Sequence, residues 1–176
     1  MVKFLKNEEL NRPEKEAYAA MKKLPYTVVL DNVRSGLNIG SIFRSADSFM
    51  AAEIILCGIS ACPPERDILK TALGATETVK WSYCSTTIDA VKKLKSAGFS
   101  VYAVEQGTGS VSPDAFKIPE GSFALIFGNE VKGVDPELLP LLEGCIEIPQ
   151  SGTKHSLNIA VSAGIVLWEM YRKLSR

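Results

Sequence analysis

Tyr26-Thr-Val-Val-Leu-Asp31, followed by Asn38-Ile-Gly-Ser-Ile-Phe-Arg-Ser-Ala-Asp-Ser-Phe-Met50, decides the fold. The first stretch is β-branched and apolar without alternation, which reads as a strand buried on both faces. The second carries Ile39, Ile42, Phe43 and Ala46 at helical spacing. The pairing recurs along the chain. Further strands are expected at residues 53–57, 78–83, 99–104, 123–127 and 145–148. Helices are expected at residues 86–97, 135–142 and 156–174, with a polar amphipathic segment at residues 13–23. Gly98 stops the first of these, and Asp135 with Pro136 forms an N-cap and first helical position for the second. Strand–helix alternation with unbroken apolar strands predicts an α/β fold, a mostly parallel six-stranded sheet with helices on both faces.

The length of 176 residues suits one domain, with residues 1–24 an extension and residues 25–174 the body. No apolar run reaches the roughly 18 residues of a membrane span, and the polar N-terminus has no signal-peptide core. A cytoplasmic setting without a membrane partner is expected. Cys57, Cys62, Cys84 and Cys145 form no C-x-x-C pair and His155 is the single histidine, so no metal site is expected and the thiols read as reduced. Lys and Arg number 20, as do Asp and Glu. Zero net charge runs against the basic balance usual for nucleic-acid binding, though Arg12, Lys15, Lys22, Lys23, Arg34 and Arg44 concentrate charge in the first third.

Two cofactor patterns nearly match. Gly107-Thr-Gly109 follows a strand like a dinucleotide loop, but the third glycine is replaced by Ser112 and Pro113 follows. No phosphate-binding G-x-x-x-x-G-K-[ST] is present. Three other blocks carry more. The first runs from Leu30 through Asn38 and Gly40 to Arg44, a strand, loop and helix. Gly40 permits close approach of a backbone or ligand, and Arg44 sits among apolar neighbours, either snorkelling to a surface acid or serving a site. The second, Phe127-Gly128-Asn129-Glu130-Val-Lys-Gly133, ends a buried strand where α/β proteins place ligands. The third, Ile148-Pro149 followed by Ser156-Leu157-Asn158, ends a strand and opens a helix that Ser156 would cap.

Together, and in this order, the blocks resemble the three motifs of the SpoU/TrmH-type RNA 2′-O-ribose methyltransferases of the SPOUT class: Asn-x-Gly-x-x-x-Arg, Phe-Gly-x-Glu-x-x-Gly, and Ile-Pro followed by Ser-Leu-Asn. The resemblance spans about residues 26–171. Asn129 stands where Ser or Pro is common.

That resemblance implies a C-terminal trefoil knot whose loops bind S-adenosylmethionine. Val104, Gly107, Gly128, Ile148, Ser156 and Leu157 would line the cofactor pocket. It implies methyl transfer to a ribose 2′-hydroxyl of RNA, with tRNA favoured over rRNA, by a homodimer in which Arg44 reaches a site completed by the partner. Arg44 would hold a phosphate and the developing alkoxide, since guanidinium stays protonated. Asn38 and Asn158 would orient Arg44 or the ribose, Glu130 would orient Arg44 or hold loops, and Ser156 would brace the pocket. Gly128→Val is expected to block the pocket while leaving the fold soluble. A non-catalytic RNA-binding relative and a Rossmann-type small-molecule methyltransferase are the alternative readings.

Overall fold

In the computed structural model, which describes residues 2–175, six parallel strands form one sheet in the order β3-β2-β1-β5-β4-β6. The strands are β1 (Leu24–Asp31), β2 (Ala51–Cys57), β3 (Trp81–Cys84), β4 (Ser100–Val104), β5 (Phe123–Phe127) and β6 (Gly144–Ile146). The helices are α1 (Lys15–Ala20), α2 (Gly36–Ser48), α3 (Arg66–Ala72), α4 (Ala75–Thr78), α5 (Thr87–Ser96) and α6 (Ile159–Leu174). Short 3-10 turns lie at Asn7–Leu10 and Pro136–Leu141.

β1 is unbroken in its hydrophobicity because it lies between β2 and β5, with both edges paired and both faces covered. Val28 and Leu30 face the core that α2, α3 and α6 complete through Ile42, Ile68 and Val166. Val29 faces the opposite layer, where Val91 and Leu94 of α5 and Leu138 pack. Leu30 is in register with Phe127, Phe127 with Val104, and Val104 with Ile146. Four strand ends therefore stand in one row at the carboxyl edge, and the loops leaving them share a small volume.

Several expected boundaries shift. The strand expected at residues 78–83 begins only at Trp81, because Gly74 adopts φ 92° and starts the one-turn α4 through Thr78. The β-branched pair Thr78-Val79 mimics strand composition, yet the local turn wins. α2 starts at Gly36 rather than Asn38, since the Ser35 hydroxyl accepts from Asn38 N at 3.3 Å. Residues 135–142 form a 3-10 turn at Pro136–Leu141, with Asp135 as its cap. Helix α6 begins at Ile159, and its cap is Asn158, not Ser156. α3 and α4 have no counterpart in the sequence expectation. α3 has only Ile68 and Ala72 buried, too few positions to show a period.

Candidate active site

The loops after β4, β5 and β6 enclose a cavity of about 510 Å³, lined by residues 104–106, 127–133, 146–148 and 156–159 with Gln150 and Ser162. Of the residues assigned to a pocket from sequence, Val104, Gly128, Ile148, Ser156 and Leu157 line it. Gly107 does not. It lies on the exposed outer turn of the same loop, its N–H donating to Glu147 Oε2 at 3.4 Å.

One chain of hydrogen bonds ties the three motif blocks together at the cavity rim. The Glu130 carboxylate accepts from Arg34 N at 3.3 Å, Ser35 N at 3.4 Å and Asn38 Nδ2 at 3.2 Å. Asn38 Oδ1 in turn accepts from Asn158 Nδ2 at 3.2 Å. Asn158 Oδ1 caps α6 by accepting from Ala160 N at 2.9 Å and Val161 N at 3.4 Å. Capping and cross-linking thus use opposite ends of one amide, a division that an acceptor-only carboxylate cannot make. Partial burial pushes the Glu130 pKa up. The bonds from its own N–H, Asn38, Arg34 and Ser35 outweigh that and hold it below the ordinary glutamate value.

The loop carrying Glu130 is fixed from beneath. Gly128 is required by sterics: a Cβ there would overlap the carbonyl carbon of Gly133 and the nitrogen of Val134. The glycine therefore makes room for the loop's own backbone, so a larger residue there would press on that backbone as well as enter the cavity. Asn129 Nδ2 donates to Asn32 O at 2.6 Å, and its Oδ1 accepts from Val131 N at 2.9 Å and Lys132 N at 3.2 Å. Asp31, only 2% exposed, accepts from Asp135 N at 2.9 Å, from Asn32 Nδ2 at 2.8 Å and from the Thr87 hydroxyl. Both ends of the loop are thereby tied to the end of β1. Glu105 adds a further tie by accepting from Gln106 N at 2.9 Å and Val134 N at 3.2 Å. Gln106 Nε2 donates to His155 O at 2.9 Å, which holds the third-motif loop over the cavity.

Asp31, Glu105, Gln106 and Asn129 were not singled out as site residues from sequence. The available signal was their position, an acid or amide within two residues of a buried strand's end.

Arg44 is not part of this cluster. It is exposed on α2 and lines a separate cleft of about 460 Å³ against α3. Cys57 and Cys84 are buried, and all four cysteines are unpaired. Among the described residues, no group of His, Cys, Asp and Glu side chains could hold a metal ion.

The pattern of residues 25–168 matches the family described as SpoU rRNA Methylase family. The chain belongs to this family. It is 31% identical over 157 residues to an uncharacterized tRNA/rRNA methyltransferase of Borreliella burgdorferi, covering 88% of this chain and 67% of that one. It is 31% identical over 172 residues to the tRNA (guanosine(18)-2′-O)-methyltransferase of Thermus thermophilus, covering 94% and 84%. The solved AdoMet-bound rRNA methyltransferase of Sinorhizobium meliloti superposes with a TM-score of 0.80 at 30% identity, over 89% of this chain and 60% of that one. The fold is that of the SPOUT methyltransferases, and the sheet expected from sequence is the sheet found.

Proposed function

We propose that this protein transfers a methyl group from S-adenosylmethionine to a ribose 2′-hydroxyl of RNA. The observation that carries the reading is the Glu130–Asn38–Asn158 chain, which brings all three motif blocks to one cavity rim. The cavity suits the cofactor in size and in chemistry. Val104, Ile146, Ile148 and Leu157 supply apolar wall for a planar base, and Glu105, Glu130 and Glu147 supply negative charge for a cationic ligand. When bound, S-adenosylmethionine supplies an electrophilic methyl group. Asn38 and Asn158 fix the rim where the ribose is received, and Ser156 and Leu157 close the pocket beside them. Arg44 holds a phosphate or the 2′-oxygen while the hydroxyl proton passes to solvent water, a charge-stabilising role for a permanently protonated group.

Arg44 stands outside the cavity of its own chain, which supports a homodimer in which each Arg44 serves the partner's cavity. Val161, Ile165 and Trp168 form an exposed apolar stripe along α6, the kind of surface that subunits bury. Residues 25–174 carry the activity in this reading, with residues 1–24 as an extension, a knotted crossing from β6 to α6, and a cytoplasmic setting. No described helix is long and apolar enough to cross a membrane. Transfer RNA is favoured as substrate, because a relative matched over 84% of its own length is named for tRNA.

The test combines calorimetry with S-adenosylmethionine, S-adenosylhomocysteine and NAD, light scattering at micromolar concentration, and transfer of labelled methyl to tRNA and rRNA separately. One sulfur cofactor per chain, no NAD, a dimer and label on ribose 2′-oxygen are expected. Absence of binding by either sulfur compound overturns the reading, and label on rRNA alone overturns the substrate assignment.

A further inference from the structure

The cleft between α2 and α3 has its own chemistry, apart from the cofactor cavity. Arg44 and Lys70 line it, together with the hydroxyls of Ser41, Ser45, Ser48 and Thr71. Its walls meet because of Gly40, where a Cβ would overlap the Ile68 carbonyl oxygen and the Thr71 hydroxyl. The bare backbone lets α3 settle on α2, and Thr71 Oγ1 donates to Leu37 O across the contact at 2.9 Å. Lys70, beside Thr71, is thereby placed in the same concavity as Arg44.

Among the described residues, neither cation has a carboxylate within ion-pairing distance. Glu65 and Asp47 are committed elsewhere, and Asp67, one turn before Lys70 on α3, lies beyond ion-pairing distance of both cations. Glu65 accepts from Ile68 N at 3.2 Å as the cap of α3, and Asp47 accepts from the Thr78 hydroxyl. Two uncompensated cations in one cleft favour an anion.

The hydroxyls narrow the choice. Ser41 donates to Leu37 O at 2.8 Å, Ser45 to Ser41 O at 3.2 Å and Ser48 to Arg44 O at 2.9 Å. Thr71 is spent on Leu37 O. Each hydroxyl proton is used within the protein, so the hydroxyl oxygens offer only lone pairs. The cleft thus presents cations for phosphate and acceptors for a neighbouring donor. A polymer alternating phosphate with a hydroxyl donor is a ribose–phosphate chain, and the 2′-hydroxyl is what separates it from DNA.

We infer that the α2–α3 cleft seats the ribose–phosphate backbone of the RNA substrate, with Lys70 as a phosphate ligand beside Arg44. The inference rests on the RNA methyl-transfer reading and adds Lys70 and the cleft to it. The contact reads backbone, so it contributes affinity without sequence preference.

The test measures tRNA binding by the full chain across a range of salt concentrations, for the unmutated protein, Lys70→Ala, Lys70→Arg and Lys93→Ala. Lys93 lies exposed on α5, which covers the other face of the sheet. Loss of one phosphate contact lowers the slope of log affinity against log salt by about 0.9 on duplex RNA segments, taking the duplex DNA value, and about 0.7 on single strands. Lys70→Ala should show that drop, Lys70→Arg should restore the slope, and Lys93→Ala should leave it unchanged. S-adenosylhomocysteine affinity should be the same in all four proteins. Single-stranded RNA should also bind more tightly than DNA of the same sequence.

An unchanged slope for Lys70→Ala overturns the inference while leaving methyl transfer standing. An unchanged slope with loss of the dimer by light scattering overturns it in favour of a subunit contact. Absence of any RNA binding or methyl transfer by the unmutated protein overturns both this inference and the function on which it rests.

Discussion

The cavity at the strand ends and the cleft between α2 and α3 are close in size, about 510 and about 460 Å³, but different atoms build them. The cavity wall at residues 128–135 is backbone held by fixed partners: Asp31 and Glu105 take its Asp135 and Val134 N–H groups from neighbouring strand ends, and Asn129 takes Val131 N within the loop. The cleft is a helix surface whose active atoms are the tips of long, rotatable side chains. A wall of pinned backbone has one shape and suits one small ligand. A wall of mobile cations tolerates variation and suits a polymer gripped at many weak points. Substitutions should therefore act on fold and ligand together in the first region, and on ligand alone in the second.

Gly128→Val is the harshest test of that contrast. Its Cβ would overlap the backbone of Gly133 and Val134, and overpacking against backbone costs about 3 kcal/mol or more. For a chain of this size that lowers Tm by roughly 6 to 12 °C. Thermal melts with and without S-adenosylhomocysteine should show both the loss of stability and the loss of ligand response. A normal Tm with binding abolished would mean the pocket can be filled without moving its wall.

Arg44→Lys and Arg44→Ala come next. Each should lose roughly a hundredfold in single-turnover methyl transfer, since lysine lacks the planar fork. Cofactor affinity should be unchanged in both, because Arg44 lies outside the cavity. Near-normal transfer by Arg44→Ala would return this arginine to a solvent-facing role.

Asn158 divides into its two functions. Asn158→Ala removes the α6 cap and should cost about 1 kcal/mol, or about 2 to 4 °C in Tm. Asn158→Asp keeps an acceptor for Ala160 N and Val161 N but cannot donate to Asn38. It should hold Tm near the unmutated value and still lose activity. Equal activity in the Asp variant would show the link to Asn38 to be dispensable.

The smallest effect is electrostatic. Glu130 has a folded pKa below its ordinary value of 4.5. Its charge therefore contributes stability above that value, and the contribution is lost as pH falls through the lowered one. Thermal melts of the unmutated protein and Glu130→Gln between roughly pH 6 and pH 3, which spans the carboxylate range, should show a small gap that closes on acidification. A gap that widens toward low pH would reverse the sign and the assignment.

What was legible in the sequence follows from range. The centres of β1 and β5 announce themselves because burial on both faces demands unbroken apolar runs, whereas β2 and β4, partly covered on one face, show through their apolar and β-branched composition alone. The pairing of β1 with β5 does not, since Tyr26 and Phe123 meet only in the folded chain. The short α3 and α4 were invisible because their few buried residues carry no period. At the site, Gly128, Glu130 and Asn158 stood out through their motif, but the reason for Gly128 did not, because the clashing backbone lies beyond the motif's acid. Asp31 and Glu105 act by accepting from remote N–H groups, a role that composition and spacing leave unmarked.

The bonds that assemble the cavity join distant parts of the chain. Asn129 and Asn32 are separated by 97 positions, Asp135 and Asp31 by 104, and Asn158 and Asn38 by 120. Closing such large loops is entropically expensive and slow compared with forming helices or neighbouring strands. The β1–α2–β2 unit can assemble from local contacts, whereas the cavity waits for residue 158 to arrive. Recovery of cofactor binding during refolding should therefore trail recovery of helical signal and report the arrival of the chain's last quarter.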